Sequence, residues 1–158
     1  KQFIEMFAQI RENFKELFAQ LFEGGQADTV LVDEEEPLES GIEIICRPPG
    51  KKLSQLSLLS GGEKALAAIA LIFSFLKSRP APFCILDEID AALDEANLQR
   101  FKELVSDYSK RSQMIIITHR RRTMESAGRV YGVTMEEQGV SKSVCVDTSQ
   151  LTFQEGMV

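Results

Sequence analysis

Apolar residues recur at Phe3, Phe7, Ile10, Phe14, Leu17 and Leu21, with spacings of 4, 3, 4, 3 and 4. That is an a/d seam held for about three heptads, and it predicts a helix over residues 1–22. Ile4, Phe18 and Phe22 widen the stripe, so a helix docked on a globular core fits as well as a coiled-coil arm. Gly24-Gly25 stops it. Thr29–Val32 and Ile42–Cys46 have strand composition, and the acidic run Asp33–Glu36 between them reads as a solvated loop. Arg47 to Lys52 contains Pro48-Pro49-Gly50 and predicts a turn. A helix is expected from about Gly62 to Lys77, broken by Arg79-Pro80-Ala81-Pro82. Phe83–Leu86 and Met114–Thr118 read as strands buried on both faces, separated by a helix over about Glu95–Lys110. A short helix near Arg122–Ala127 and strands around Val130–Met135 and Ser143–Val146 complete the pattern. Strand, helix and strand in this order imply a parallel α/β sheet.

The length of 158 residues corresponds to about one domain, long enough to bury a core without disulfides or a structural metal. The net charge of −6 disfavours non-specific nucleic-acid binding through the summed field, so any DNA contact needs a local patch or a partner. Arg120-Arg121-Arg122 is such a patch, but it also flanks a helix start, where it would face solvent. Cys46, Cys84 and Cys145 are dispersed and read as small core residues of a reducing compartment. No signal peptide is visible, and the longest apolar run is too short to span a bilayer. The chain begins without Met, inside a helical pattern, and is read as a piece of something longer.

Four segments carry candidate chemistry. Ser60-Gly61-Gly62-Glu63 is S-x-x-E, a capping box at a helix start. The same geometry offers N–H groups, a hydroxyl and a positive dipole end to an anion. Asp87-Glu88 follows an apolar strand, where α/β ligand crevices form. Asp87 can hold Mg²⁺ directly or through water, and Glu88 can polarise a water for attack on a γ-phosphate. His119, the only histidine, follows the next strand and is expected near the same sheet edge, where it can donate to a phosphate oxygen. Asp94 is placed as an N-cap.

LSGGEK, CILDEIDAALDEAN, IITHRRRTMESA and YGVTMEEQGVSK, in this order, resemble the carboxy-terminal half of the ATPase head of the structural maintenance of chromosomes (SMC) family, the bacterial condensin-like form above all. The resemblance is strong over about residues 52–147. It implies the carboxy-terminal lobe of an ABC-type ATPase head: an α/β fold, mainly parallel sheet flanked by helices. Residues 1–23 would end a coiled-coil arm and residues 24–158 would form the lobe. By the same resemblance Leu59, Ser60, Gly61 and Gly62 match the signature motif, which binds nucleotide held by an opposing head. Asp87 matches the Walker B aspartate near Mg²⁺, Glu88 the catalytic glutamate, Asp94 the D-loop acid at the dimer interface and His119 the switch histidine. The sequence contains no G-x-x-x-x-G-K-[ST], so the cradle for the β- and γ-phosphates must come from elsewhere. The implied cofactors are ATP and Mg²⁺. The implied partners are the amino-terminal lobe of the same head, a second SMC head in an ATP-dependent homodimer, the winged-helix domain of a kleisin subunit, and DNA through the full complex. No membrane is involved, and the implied location is the cytoplasm, on the nucleoid. RecN-like and other double-strand-break repair ATPases share the signature and Walker B logic and are the nearest rivals. A non-catalytic module that docks a kleisin is the rival from another class.

Overall fold

The computed structural model of the chain describes residues 2–148. Lys1 and residues 149–158, the latter assigned to the lobe by sequence, lie outside the described residues. Two compact units divide the chain, 1–117 and 118–158.

The first unit opens with α1 (Gln2–Leu21), β1 (Gln26–Leu31) and β2 (Ile42–Arg47). It continues with β3 (Ser54–Gln55), a 3-10 turn (Leu56–Leu58) and α2 (Gly61–Ser78), then β4 (Phe83–Asp87), α3 (Glu95–Ser109) and β5 (Gln113–Ile117). The α1 stripe is used from Ile10 onward: Ile10, Phe14, Leu17, Phe18 and Leu21 are buried, so this part is docked on the core as a wide-striped helix. Phe18 stacks on Phe22 at a centroid distance of 4.0 Å and meets Phe14 edge-on at 6.1 Å. Helix α2 buries Leu66, Ile69, Ala70 and Phe73 at helical spacing, and α3 adds Leu98, Phe101 and Leu104. Phe73 also packs edge-on against Tyr108 at 4.8 Å. Arg11 grips Asp28 of β1 with two hydrogen bonds of 2.5 and 2.7 Å, tying α1 to the sheet.

The expectation of a mainly parallel sheet is corrected. β1–β2–β3 is antiparallel, β4–β5 is the parallel pair, and in the second unit β6 (Arg129–Glu137) and β7 (Val140–Asp147) pair antiparallel. The physical reason is connection length. β1–β2, β2–β3 and β6–β7 are joined by short connections that suit antiparallel neighbours, whereas β4 and β5, joined through α3, have the long crossover that parallel neighbours need.

The expectation that β4 and β5 are buried on both faces is also corrected. Leu86 is buried, and Cys84, Met114 and Ile116 pack against the core. The alternate positions Phe83, Ile85, Ile115 and Ile117 are exposed by 55, 56, 41 and 51%. By strand alternation Asp87 shares this open apolar face.

The second unit contains α4 (Arg121–Met124) and the hairpin of β6 (Arg129–Glu137) and β7 (Val140–Asp147). Gly139, at φ 82°, makes the tight connection that only glycine enters without strain. Cys46 is buried, but Cys145 on the hairpin is exposed, against the expectation of three core cysteines.

Candidate functional site

The α2 start is a complete capping box. Glu63 N donates to Ser60 Oγ at 3.4 Å, while the Ser60 N–H donates to Glu63 Oε2 at 3.0 Å. Ser60 Oγ also donates to Glu63 Oε2 at 2.8 Å. Leu59 is buried, anchoring this corner, whereas Ser60 and Gly61 are exposed. A Cβ on Gly61 would meet nothing within 4 Å, so the backbone here is open to a visitor. A Cβ on Gly62 would come within 3.2 Å of the Ala92 carbonyl oxygen, so this glycine lets the helix start lie against the loop that follows β4.

Lys51 completes the corner. Its Nζ donates to both Glu63 oxygens, at 2.8 and 2.9 Å. That hydrogen bond holds the Glu63 carboxyl below the usual carboxylate range, against an opposing desolvation, with smaller help from Ser60. Asp28 is likewise held low, by the hydrogen bond from Arg11 against desolvation. Both groups favour the folded state when ionised. Their contribution is present above the unfolded carboxylate range of about 4 and is lost as pH falls through their lower folded values. Thermal melts from about pH 7 down to about pH 3 are therefore expected to show falling stability below about pH 4.5. Asp28→Asn should flatten that decline; an unchanged profile would show that the Arg11 pair is not part of it.

Asp87 ends β4 opposite Ile117, and both it and Glu88 are exposed. Glu88 has φ 47°, the left-handed region that side-chain-bearing residues rarely enter. Such a residue costs about 1–3 kcal/mol and persists only where the surroundings enforce it. Here the Glu88 N–H donates to the Ile117 carbonyl at 2.9 Å, which locks the acid at the carboxyl end of the parallel pair. The loop then turns twice, with Ala91 N donating to Glu88 O and Leu93 N to Asp90 O, each at 3.1 Å. Asp94 caps α3, accepting from Asn97 N at 2.8 Å.

The first unit thus brings the start of α2, at Gly62, against the 88–94 loop, with Leu59, Ser60 and Gly61 just before it in the chain. Asp87 and Glu88 stand at one end of that loop and Asp94 at the other. His119 is exposed and stands in the second unit, two residues along the chain from Ile117. Arg121, next in the basic run, pairs with Glu125 at 2.9 Å across one turn of α4. Two residues escaped the sequence reading. Asp90 is fully buried, and no motif in the sequence singled it out. Lys51 reads as an ordinary turn residue, and no local pattern ties it to Glu63, twelve positions on. Among the described residues no cluster of three or more His, Cys, Asp or Glu could hold a metal. No helix among them is long and apolar enough to cross a membrane.

A family model described as RecF/RecN/SMC N terminal domain matches residues 7–142. The chain belongs to this family. Chromosome partition protein Smc of Bacillus subtilis is 58% identical over 146 residues, covering 92% of this chain and 12% of that protein. The protein of the same name from Myxococcus xanthus is 51% identical over 146 residues, again 92% and 12%. The chain therefore spans about an eighth of the length of these Smc relatives. Among solved structures, an Smc head bound to the C-winged helix domain of ScpA superposes with a TM-score of 0.83 at 45% identity, covering 92% of this chain and 44% of that one. A chain studied for ATP-driven dimerization and DNA stimulated activation of SMC ATPases gives 0.84 at 42% identity, covering 94% and 90%. The fold is that of an SMC ATPase head domain.

Proposed function

We propose that this chain is the carboxy-terminal half of an SMC ATPase head, in which ATP binding sandwiches two heads and hydrolysis releases them, in the service of chromosome condensation and segregation. The observation that carries the reading is the acidic pair at the end of β4–β5. Asp87 lies on an apolar face that nothing among the described residues covers, and Glu88 is fixed beside it in a strained conformation. The amino-terminal half, with the phosphate cradle, is the proposed cover of that face. The family model is described by an amino-terminal domain. Our assignment to the other half rests on the order of LSGGEK, LDE and His119, and on the lack of a G-x-x-x-x-G-K-[ST] in residues 1–158.

In this reading Glu88 accepts the proton of the attacking water and His119 donates a hydrogen bond to a γ-phosphate oxygen. Leu59, Ser60, Gly61 and Gly62 form the surface that meets nucleotide held by the opposite head, and Asp94 faces that head across the dimer interface. Asp87 fits Mg²⁺, which takes one or two protein carboxylates and completes its shell with phosphates and water. The ion, when bound, neutralises charge on the phosphates. Residues 1–23 are read as the end of the coiled-coil arm and residues 24–158 as the lobe. The proposed location is the cytoplasm, on the nucleoid, with DNA reached through the full complex.

A kleisin partner is supported by a second observation. The β6–β7 hairpin exposes Tyr131, Val133, Met135 and Val144, and one solved relative carries the C-winged helix domain of ScpA and another its C-terminal domain. The two halves provide the direct test. Co-expressed with the amino-terminal half, the chain is expected to hydrolyse ATP, whereas by itself it should bind Mg-ATP weakly or not at all. Low-micromolar Mg-ATP binding by the isolated chain in calorimetry would overturn the half-site reading.

A further inference from the structure

We infer that Lys51 is a positioning residue for nucleotide-dependent assembly, acting through Glu63 on Ser60. This rests on the reading of Ser60 as a ligand of an incoming phosphate. An anion approaching Ser60 and Gly61 meets a difficulty that the capping box creates. The Glu63 carboxylate lies 2.8 Å from Ser60 Oγ and takes both the Ser60 hydroxyl proton and its N–H. An unneutralised carboxylate there repels phosphate and competes for the hydroxyl proton that a phosphate, an acceptor only, requires.

Lys51 answers both problems. Its ammonium bridges the two Glu63 oxygens, cancelling the charge and weakening the carboxylate's claim on the Ser60 proton. The turn that delivers it is built for the purpose by local geometry. Lys51 N donates to Pro48 O at 3.1 Å, and Gly50, at φ 73°, turns the chain back toward α2. Glu63 is partly buried while Lys51 remains half-exposed. A half-exposed pair of this kind adds little to stability, so its effect on the anion site separates from any effect on folding.

The test uses the full-length protein carrying Glu88→Gln, which is expected to hold ATP-bound heads together, with ATP-dependent head dimerisation measured by sedimentation. Lys51→Met is expected to weaken dimerisation at least about tenfold, the scale of one uncancelled like charge at an interface. ATP affinity of the single head and melting temperature, within about 3 °C, should stay at their parent values. Lys51→Arg should retain assembly. Lys51→Met combined with Glu63→Gln should regain it to within about threefold, because the amide still accepts from the Ser60 N–H but carries no charge. Three results would overturn the inference: normal dimerisation of Lys51→Met beside a Ser60→Arg variant that fails; a double variant as weak as Lys51→Met alone; or a melting temperature that falls in step with assembly. If Ser60→Arg itself assembles normally, the phosphate reading of Ser60 falls and takes the role of Lys51 with it.

Discussion

Replacing Glu88 by glutamine in the complete head is expected to lower ATP turnover by about 10²–10⁴-fold, the usual contribution of a general base. The amide keeps the shape of the side chain but cannot accept the proton of water. On the proposed reading the phosphate cradle is supplied by the other half, so nucleotide binding should persist and dimers held by unhydrolysed ATP should accumulate. The backbone adds a second arm to the test. Glu88 occupies the left-handed region at φ 47°, where glycine is at ease and glutamate is strained. Glu88→Gly should therefore hold or raise the melting temperature while turnover falls as far as in Glu88→Gln. A raised melting temperature beside lost turnover would fit an acid kept for chemistry rather than for stability. Turnover of Glu88→Gln within a few-fold of the parent would make Glu88 a surface acid and end the assignment.

Ser60→Arg is expected to abolish ATP-dependent association of heads while sparing nucleotide binding. As a helix cap, Ser60 contributes about 0.5–2 kcal/mol, a loss read as a drop of a few degrees in melting temperature. The capping box is present, so this cost is expected on any reading. Steric block of the partner head is the separate effect. Ser60 and Gly61 are exposed at the helix start with open space in front of Gly61, and an arginine there fills the surface that the nucleotide of the opposite head would meet. Measuring melting temperature, nucleotide affinity and dimerisation in the Glu88→Gln background separates the two. A lowered melting temperature with normal dimerisation would leave Ser60 as a cap alone. Hydrolysis should fall with dimerisation, because each site then lacks its second half.

The elements themselves were largely legible. Helix α2 starts at Gly61, within a residue of the expected place, because its stop and start signals are local: a serine, two glycines and a glutamate three positions after the cap. Helix α3 follows Asp94 for the same reason. Six of the seven strands among the described residues were found from their composition, β3 being missed, and the parallel pair β4–β5 from the helix between them, but the sheet was not mainly parallel. β6 and β7 have the same β-rich composition as β4 and β5, and only the connection, a glycine turn rather than a helix, makes one pair antiparallel and the other parallel.

What the sequence by itself determined are the features closed within a few residues: the two caps, the order of the candidate motifs and the placing of an acidic pair at a strand end. Each depends on hydrogen bonds or periodicity that a short segment satisfies alone. Tertiary structure decided the rest. It chose which face of β4 the core covers, leaving Phe83 and Ile85 open with Asp87 beside them. It buried Asp90, which no motif singles out, and it brought Lys51 to Glu63 by way of a left-handed glycine. It also set the left-handed backbone of Glu88, whose N–H reaches a carbonyl on a strand about thirty positions away. Those choices depend on packing between distant segments, and the energy that makes them is not written in any one of the segments.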